Sequence, residues 1–220
     1  MVAAVFSGRI RDRKPPMTSG APFVHATADV ADSAAIGSGS KIWHYAQVRE
    51  DAVLGEDCIV GRGAYVGTGV VMGDACKVQN YALVYEPARL GKGVFIGPAV
   101  VLTNDHFPRA INPDGSLKSA HDWEAVGVTI GDGASIGAHA TCVAPVEIGS
   151  WALVGSGAVV IKNVPDFAIV VGNPARRVGW VGRAGQPLED AGDGVWRCPV
   201  DGSTYRQTDT NTLIDMESAS

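Results

Sequence analysis

Aromatic residues are scarce in this 220-residue chain, at 7%, although 46% of it is hydrophobic. The apolar content is therefore small and aliphatic: Ala, Val, Ile and Leu. Charge is low as well, at 19%, and with this hydrophobicity it excludes a disordered chain. No apolar run approaches the ~18 residues of a membrane-spanning helix. Basic charge is in deficit. Lys and Arg number 18 against 23 Asp and Glu, a net charge of −5, and no basic face suggests a nucleic-acid partner. The four cysteines (Cys58, Cys76, Cys142 and Cys198) show neither metal-ligand spacing nor a secreted disulfide framework. No secretory leader is expected either: Met1–Phe6 is too short for its apolar core, and the basic cluster Arg9, Arg11, Arg13 and Lys14 follows that stretch. The expected location is the cytoplasm, with residues 1–20 a flexible extension and Met17 a candidate start.

Glycine is in excess, with 28 residues, about twice the usual ~7%. It does not recur at every third position, which excludes collagen. Its spacing follows a longer period. From Val24 to Leu102 every sixth residue is apolar, fourteen in succession, and Ile130 to Val160 repeats the pattern six more times. The fourth residue after these anchors is nearly always small, as at Ala28, Ala46, Ala64 and Ala82. The residue directly after the anchor is often Gly.

Six residues are too few for a strand, a loop and a helix; they suit one short strand and one tight turn. Each unit cannot bury its own apolar face, whereas stacked units bury a continuous column. The period therefore predicts an all-β fold, a parallel β-helix. Anchors and small residues point inward, and Gly lets the chain turn at corners. Three hexads make a coil of 18 residues, so residues 18 apart stack at the ~4.8 Å strand spacing. Twenty hexads give about seven coils. Cys58 and Cys76, 18 apart at the small inward position, are expected to be stacked, buried thiols. The expected units are the extension 1–20, a β-helix over 21–183 and a C-terminal extension over 184–220.

The register aligns side chains into columns. One corner reads Ala26, His44, Arg62, Asn80, Pro98. The next reads Asp32, Glu50, Thr68, Glu86, Asn104. The third, Ser38, Glu56, Asp74, Lys92, is simply polar and suits a solvated edge. Residues 103–129 escape the phasing, and unphased loops of this length are usually functional. This one carries Asn104, Asp105, His106, Arg109, Lys118, His121 and Trp123. Residues 155–183 hold Lys162, Arg176, Arg177 and Arg183 against Asp166 alone, a local excess of positive charge that suits phosphates.

Several segments carry a resemblance. They are Lys41-Ile42-Trp43-His44-Tyr45, Lys77-Val78-Gln79-Asn80, Val94-Phe95-Ile96-Gly97-Pro98, Thr103-Asn104-Asp105, Pro108-Arg109 and Gly172-Asn173-Pro174-Ala175-Arg176. The tail Cys198-Pro199, with Gly202 and Tyr205, adds to them. Over about residues 22–207 the chain resembles the left-handed β-helix hexapeptide acyltransferases. Within these it resembles the nucleotide-sugar 3-N-acetyltransferases that use UDP-2-acetamido-3-amino-2,3-dideoxy-glucuronate in surface-polysaccharide (lipopolysaccharide, O-antigen) synthesis. Tyr81 departs, standing where relatives carry a second Asn. The resemblance implies a left-handed coil, acetyl-CoA as cosubstrate, no metal, and a homotrimer with sites between subunits.

Residue type, position and the resemblance together imply roles. Asn80 is expected to orient the acceptor amine through its side-chain oxygen, with the departing thiolate taking the proton. His106 is the candidate side-chain base and otherwise a sugar contact. His44, Arg62, Glu86, Asn104 and Arg109 are expected around the nucleotide sugar, set between the first two columns. Ala138, Gly155 and Ala158 are expected along the pantetheine arm of coenzyme A, and Lys162, Arg176 and Arg177 at its phosphates. The competing readings are a dTDP-3-amino-deoxyhexose acceptor, a γ-type carbonic anhydrase and a non-catalytic scaffold. The carbonic anhydrase needs three zinc histidines, and here His106 and His121 both lie in the unphased loop.

Overall fold

A computed structural model describes residues 20–119 and 121–216. Residues 1–19, with most of the expected N-terminal extension and Met17, lie outside the described residues. The chain folds as a left-handed parallel β-helix with three flat faces. Face A stacks strands from Phe23–Val24 to Ala168–Val171, face B from Asp29–Val30 to Val159–Val160, and face C from Ala35–Ile36 to Val146–Ile148. That makes seven coils and the first side of an eighth. The pairing register is the expected 18 residues: Phe23 pairs with Lys41, Leu83 with Val101, Val53 with Val71. Above face B's Val101–Leu102 the offset jumps to 40, as in Leu90 with Ile130, so the loop inserts 22 residues into one coil. The last coil is two residues shorter, pairing Val154 with Val170.

Anchors and small residues are buried, as the period requires. Ile42, Val60, Val78, Ile96, Ile136 and Val154 fill the axis, with Ala46, Ala64, Ala82 and Ala140 at the corners. The first anchor, Val24, stays 41% exposed because no coil lies beneath it. Removing a buried anchor methyl group costs both transfer and cavity terms, about 2–5 kcal/mol for Ile to Ala.

The glycines divide into two kinds, which corrects the expectation that Gly after an anchor is there to turn the chain. Gly55 follows an anchor without a left-handed φ; a Cβ there would lie 2.7 Å from the Gly73 carbonyl carbon of the next coil. Space, not torsion, selects it. The left-handed turn falls two residues later, as at Gly63 with φ 61°. Ordinary residues take that position elsewhere: Tyr45, Asp57, Ala75, Tyr81, Ala99 and His139 all hold φ between 54° and 61°.

Cys58, Cys76, Cys142 and Cys198 are free and buried. Cys58 and Cys76 extend a ladder that begins at Ser40. Ser40 Oγ donates to the Gly55 carbonyl at 2.9 Å, Cys58 Sγ to Gly73 at 3.2 Å and Cys76 Sγ to Gly91 at 3.0 Å. Each satisfies a corner carbonyl of the following coil. Burial pushes the Cys142 thiol up to about 12.

The C-terminal extension closes the top of the helix. Strand Arg176–Trp180 turns back antiparallel on Ala168–Val171, with Val170 opposite Arg177. Strands Glu189–Gly192, Val195–Arg197, Thr204–Asp209 and Thr212–Asp215 form a separate antiparallel sheet. Its Tyr205 is fully buried, edge-on to Phe167 at 5.4 Å, and its hydroxyl accepts from the Arg183 N–H at 3.0 Å. Trp180 and Trp196 both donate to Gln207 Oε1. Arg183 Nε donates to the buried Asp215 carboxylate at 2.6 Å. No helix among the described residues is long and apolar enough to cross a membrane.

Candidate active site

The corner between faces A and B carries His44, Arg62 and Asn80 on successive coils, all exposed. Asn80 Oδ1 accepts the Arg62 N–H of the coil below at 2.9 Å. This contact recurs at the corner between faces C and A: Asp74 accepts from the Glu56 N–H at 3.0 Å and Asp132 from the Lys92 N–H at 2.8 Å. Asn80 thus stands at a position where a side-chain oxygen ties two coils together. An amide oxygen has two lone pairs, so one remains for a ligand, and the Asn80 amide group is exposed.

Above Asn80 the column itself carries small residues, with the exposed His139 beside them at the turn position. Pro98 and Ala138 follow in the column, with Gly97, Gly137 and Gly155 beside them on face A. Their chain continues to Val170–Val171, against which Arg176 and Arg177 pair. Arg176 is exposed. Arg177 lies with its guanidinium 4.3 Å from the centre of the Trp180 ring, and its buried Nη1 has no hydrogen-bond partner among the described residues. Ala138, Gly155, Arg176 and Arg177 are therefore brought together at the top of one corner.

Three expected residues lie elsewhere. Ala158 is buried in the core, its N–H bonded to the Gly155 carbonyl and its carbonyl to the Thr141 N–H, so neither group faces a groove. Lys162 sits at the corner between faces B and C, in the column of Glu86 and Asn104. Arg183, counted among the cations, is engaged by Asp215 and by the Trp151 ring.

Glu86 and Asn104 occupy that second corner, from which the long loop departs. Glu86 folds back over Gly67, and its buried Oε2 has no hydrogen-bond partner among the described residues. Burial, and then the charge of Glu86, pushes the nearby Tyr65 hydroxyl up. Asn104 ties the loop's far end through its carbonyl, which accepts the Val126 N–H at 3.1 Å. Within the loop Ile111 and Leu117 bridge antiparallel. Arg109 lines a cavity of about 340 Å³ with Asp105, Ala110, Lys118, Ser119 and Trp123. His106 is exposed and stacked on Phe107, ring centres 4.1 Å apart.

The first two columns, between which the sugar is expected, stand on different corners of the coil. Asn80 and Glu86 lie on different corners, six residues apart, a path of up to about 20 Å at ~3.3 Å per residue. Among the described residues, no three His, Cys, Asp or Glu side chains gather as a metal site.

Two stretches of this β-helix match models of hexapeptide repeats. Residues 33–68 match the bacterial transferase hexapeptide (six repeats), and residues 127–162 the hexapeptide repeat of succinyl-transferase. Among curated proteins the chain is similar to a dTDP-3-amino-3,6-dideoxy-alpha-D-galactopyranose 3-N-acetyltransferase of Aneurinibacillus thermoaerophilus, 53% identical over 49 residues, 22% of this chain and 26% of that protein. It is also similar to the bifunctional protein GlmU of Synechococcus sp., 30% identical over 164 residues, 74% of this chain and 33% of that protein. The chain thus spans a third or less of these curated relatives. A UDP-N-acetylglucosamine acyltransferase from Bacteroides fragilis shares the fold, with a TM-score of 0.59 at 17% identity over 73% of this chain and 62% of that one.

Proposed function

We propose that this protein is an acetyl-CoA-dependent N-acetyltransferase that acetylates the 3-amino group of a nucleotide-linked sugar. The observation that carries the reading is the single corner on which Asn80 separates a small-residue groove, ending at Arg176 and Arg177, from Arg62 and His44 below. A thin, flexible pantetheine arm suits the groove, and the arginines suit its phosphates through charge-assisted hydrogen bonds. The acceptor suits the lower half.

Catalysis rests on positioning. Asn80 holds the neutral amine through its free lone pair and fixes its approach to the thioester carbon. The nitrogen–carbon bond forms, the oxyanion takes backbone N–H donors, and the carbon–sulfur bond breaks. The departing thiolate takes the extra proton from nitrogen. His106 contacts the sugar from the loop. Glu86, Asn104 and Lys162 lie on the neighbouring corner, and Arg109 lies with His106 in the loop that leaves it. In a homotrimer the loop and second corner of one copy cover the first corner of the next, with Arg109 on the acceptor. The cytoplasm expected from the sequence suits both cosubstrates.

Within this class UDP-2-acetamido-3-amino-2,3-dideoxy-glucuronate is the acceptor we propose, in surface-polysaccharide synthesis. The 53% identity with a dTDP-sugar 3-N-acetyltransferase favours a second reading, a dTDP-3-amino-deoxyhexose. Acetyl-CoA consumption on a panel of amino-sugar nucleotides, followed by thiol release, separates them. Turnover of the UDP-uronate supports the first and faster turnover of the dTDP sugar the second. No thiol release with any 3-amino sugar nucleotide refutes both.

A further inference from the structure

Aromatic side chains are few in this chain, yet five rings, two of them imidazoles, gather outside its core at one place. The lowest two coils of the A–B corner carry Phe23, His25, Trp43, His44 and Tyr45. The His25 and His44 rings lie face to face, centres 3.5 Å apart. The Trp43 and His44 planes are within 2° of parallel, and Phe23 lies 5.5 Å from Trp43. Tyr45 is 59% exposed, so core packing does not account for it. One coil up, the Arg62 guanidinium lies 5.5 Å from the centre of the Tyr45 ring. Arg62 also binds, through its N–H, the Asn80 side chain of the coil above it.

Heights along the corner give this line a meaning. With coils ~4.8 Å apart, Arg62 lies about 5 Å below Asn80, His44 and Tyr45 about 10 Å, and His25 about 14 Å. In a nucleotide sugar the amine-bearing ring is followed by a pyrophosphate, a ribose and a base. A cation followed by aromatic faces repeats that chemical order. We infer that the lower A–B corner is the nucleobase platform of the acceptor site, with Tyr45 and His44 stacking the base and Arg62 meeting the pyrophosphate. The inference rests on the reading of this chain as a sugar-nucleotide acetyltransferase.

The adenine of coenzyme A is the other base at hand. Its phosphates match Arg176 and Arg177, at the opposite end of the corner, so the lower platform belongs to the acceptor. A stacking platform accepts any base, because every base has a π face. Uracil and thymine are therefore expected to bind alike here, which leaves the sugar to decide the substrate.

The test is binding of UDP, dTDP and inorganic pyrophosphate by titration calorimetry, in the absence of any sugar. Tyr45→Ala is expected to fold, because Ala99 holds φ 55° at the equivalent position of a higher coil. It is expected to weaken UDP and dTDP about tenfold, in line with the loss of one base–aromatic stack. It leaves pyrophosphate binding and the KM for acetyl-CoA unchanged. Tyr45→Phe restores nucleotide binding, and Arg62→Ala weakens all three ligands. Equal nucleotide affinity in the wild type, Tyr45→Ala and His44→Ala overturns the platform, as does a wild type that binds neither nucleotide. A rise in the acetyl-CoA KM of Tyr45→Ala instead assigns the platform to adenine and overturns it too. If the nucleotides bind in this pattern but no amino-sugar nucleotide is acetylated, the acetyltransferase reading fails and the platform stands.

Discussion

The lower and upper halves of the A–B corner share a register, a coil pitch and a backbone path, and they differ in what the side chains leave outside. Below Asn80 stand Trp43, His44, Tyr45 and Arg62; above it come Gly97, Pro98, Ala138 and Gly155, with His139 the one larger side chain among them. The coil therefore supplies a ruler and the exposed positions supply the chemistry. Large π faces make a surface that grips a flat ring, while small residues make a channel for a narrow chain. Asn80 is the boundary, and its position is one the fold already uses for an oxygen. On the C–A corner that oxygen belongs to Asp74 and Asp132 and serves the coil alone.

The largest effect is expected where the halves meet. Asn80→Ala should lower kcat about 100-fold, the scale of misplaced reactants, while the KM values change little. Asn80→Asp keeps an acceptor for the Arg62 N–H, so its melting temperature should match the wild type. A kcat for Asn80→Ala within threefold of the wild type, measured by thiol release, removes Asn80 from the mechanism.

The upper half is broken next. Arg176→Ala combined with Arg177→Ala should raise the acetyl-CoA KM ~50-fold, as expected for charge-assisted hydrogen bonds worth ~1.5–3 kcal/mol, and leave the acceptor KM unchanged. Gly155→Leu should raise the acetyl-CoA KM by about tenfold, roughly 1.4 kcal/mol, by filling the channel. A Cβ there lies 2.8 Å from Val171 Cγ1, a side-chain atom that can rotate away, so the fold should survive. Acetyl-CoA titrations of these variants also show whether the groove and the arginines act on the same molecule.

The regular part of this architecture was legible because one apolar residue in six repeats at the period of the coil itself. Val24 to Leu102 phases every strand, and the failure of phasing at residue 103 marks the loop. Ala158 stands four residues after the anchor Val154, the inward position, so the period itself places it in the core, whereas Ala138 stands two after Ile136 and faces out. Other features left no such trace. The glycine after an anchor looks like a turn residue, yet at Gly55 it serves the contact with Gly73. Lys162 reads as one cluster with Arg176, while the fold sets it on another corner. The cap built around Tyr205 and Gln207 has no period, so nothing in its sequence announced that it closes the coil.

The smallest effect lies in that cap and serves as a control far from the corner. Hydrogen bonds from Ser203, and then from Cys198, hold the Asp201 carboxyl down to about 2, from an ordinary value of 3.8. A depressed folded-state value stabilises the fold above pH 3.8, and that contribution is lost as the pH falls toward 2. Asp201→Asn should therefore show a shallower fall in melting temperature between pH 4 and pH 2, with acetyl transfer at neutral pH unchanged. An unchanged slope argues that the carboxylate does nothing for the cap.

The central claim is that one corner of the coil orders both substrates in line, with the transfer at Asn80. A crystal structure with coenzyme A and UDP bound together tests it most directly. The account predicts the uracil ring on Tyr45 and His44, the pyrophosphate at Arg62 and the pantetheine along Gly97 and Gly155. The sulfur should lie within about 5 Å of the Asn80 amide, close to the ~3–3.5 Å of reacting atoms. UDP along the B–C corner beside Glu86, or coenzyme A running away from Arg176 and Arg177, contradicts it.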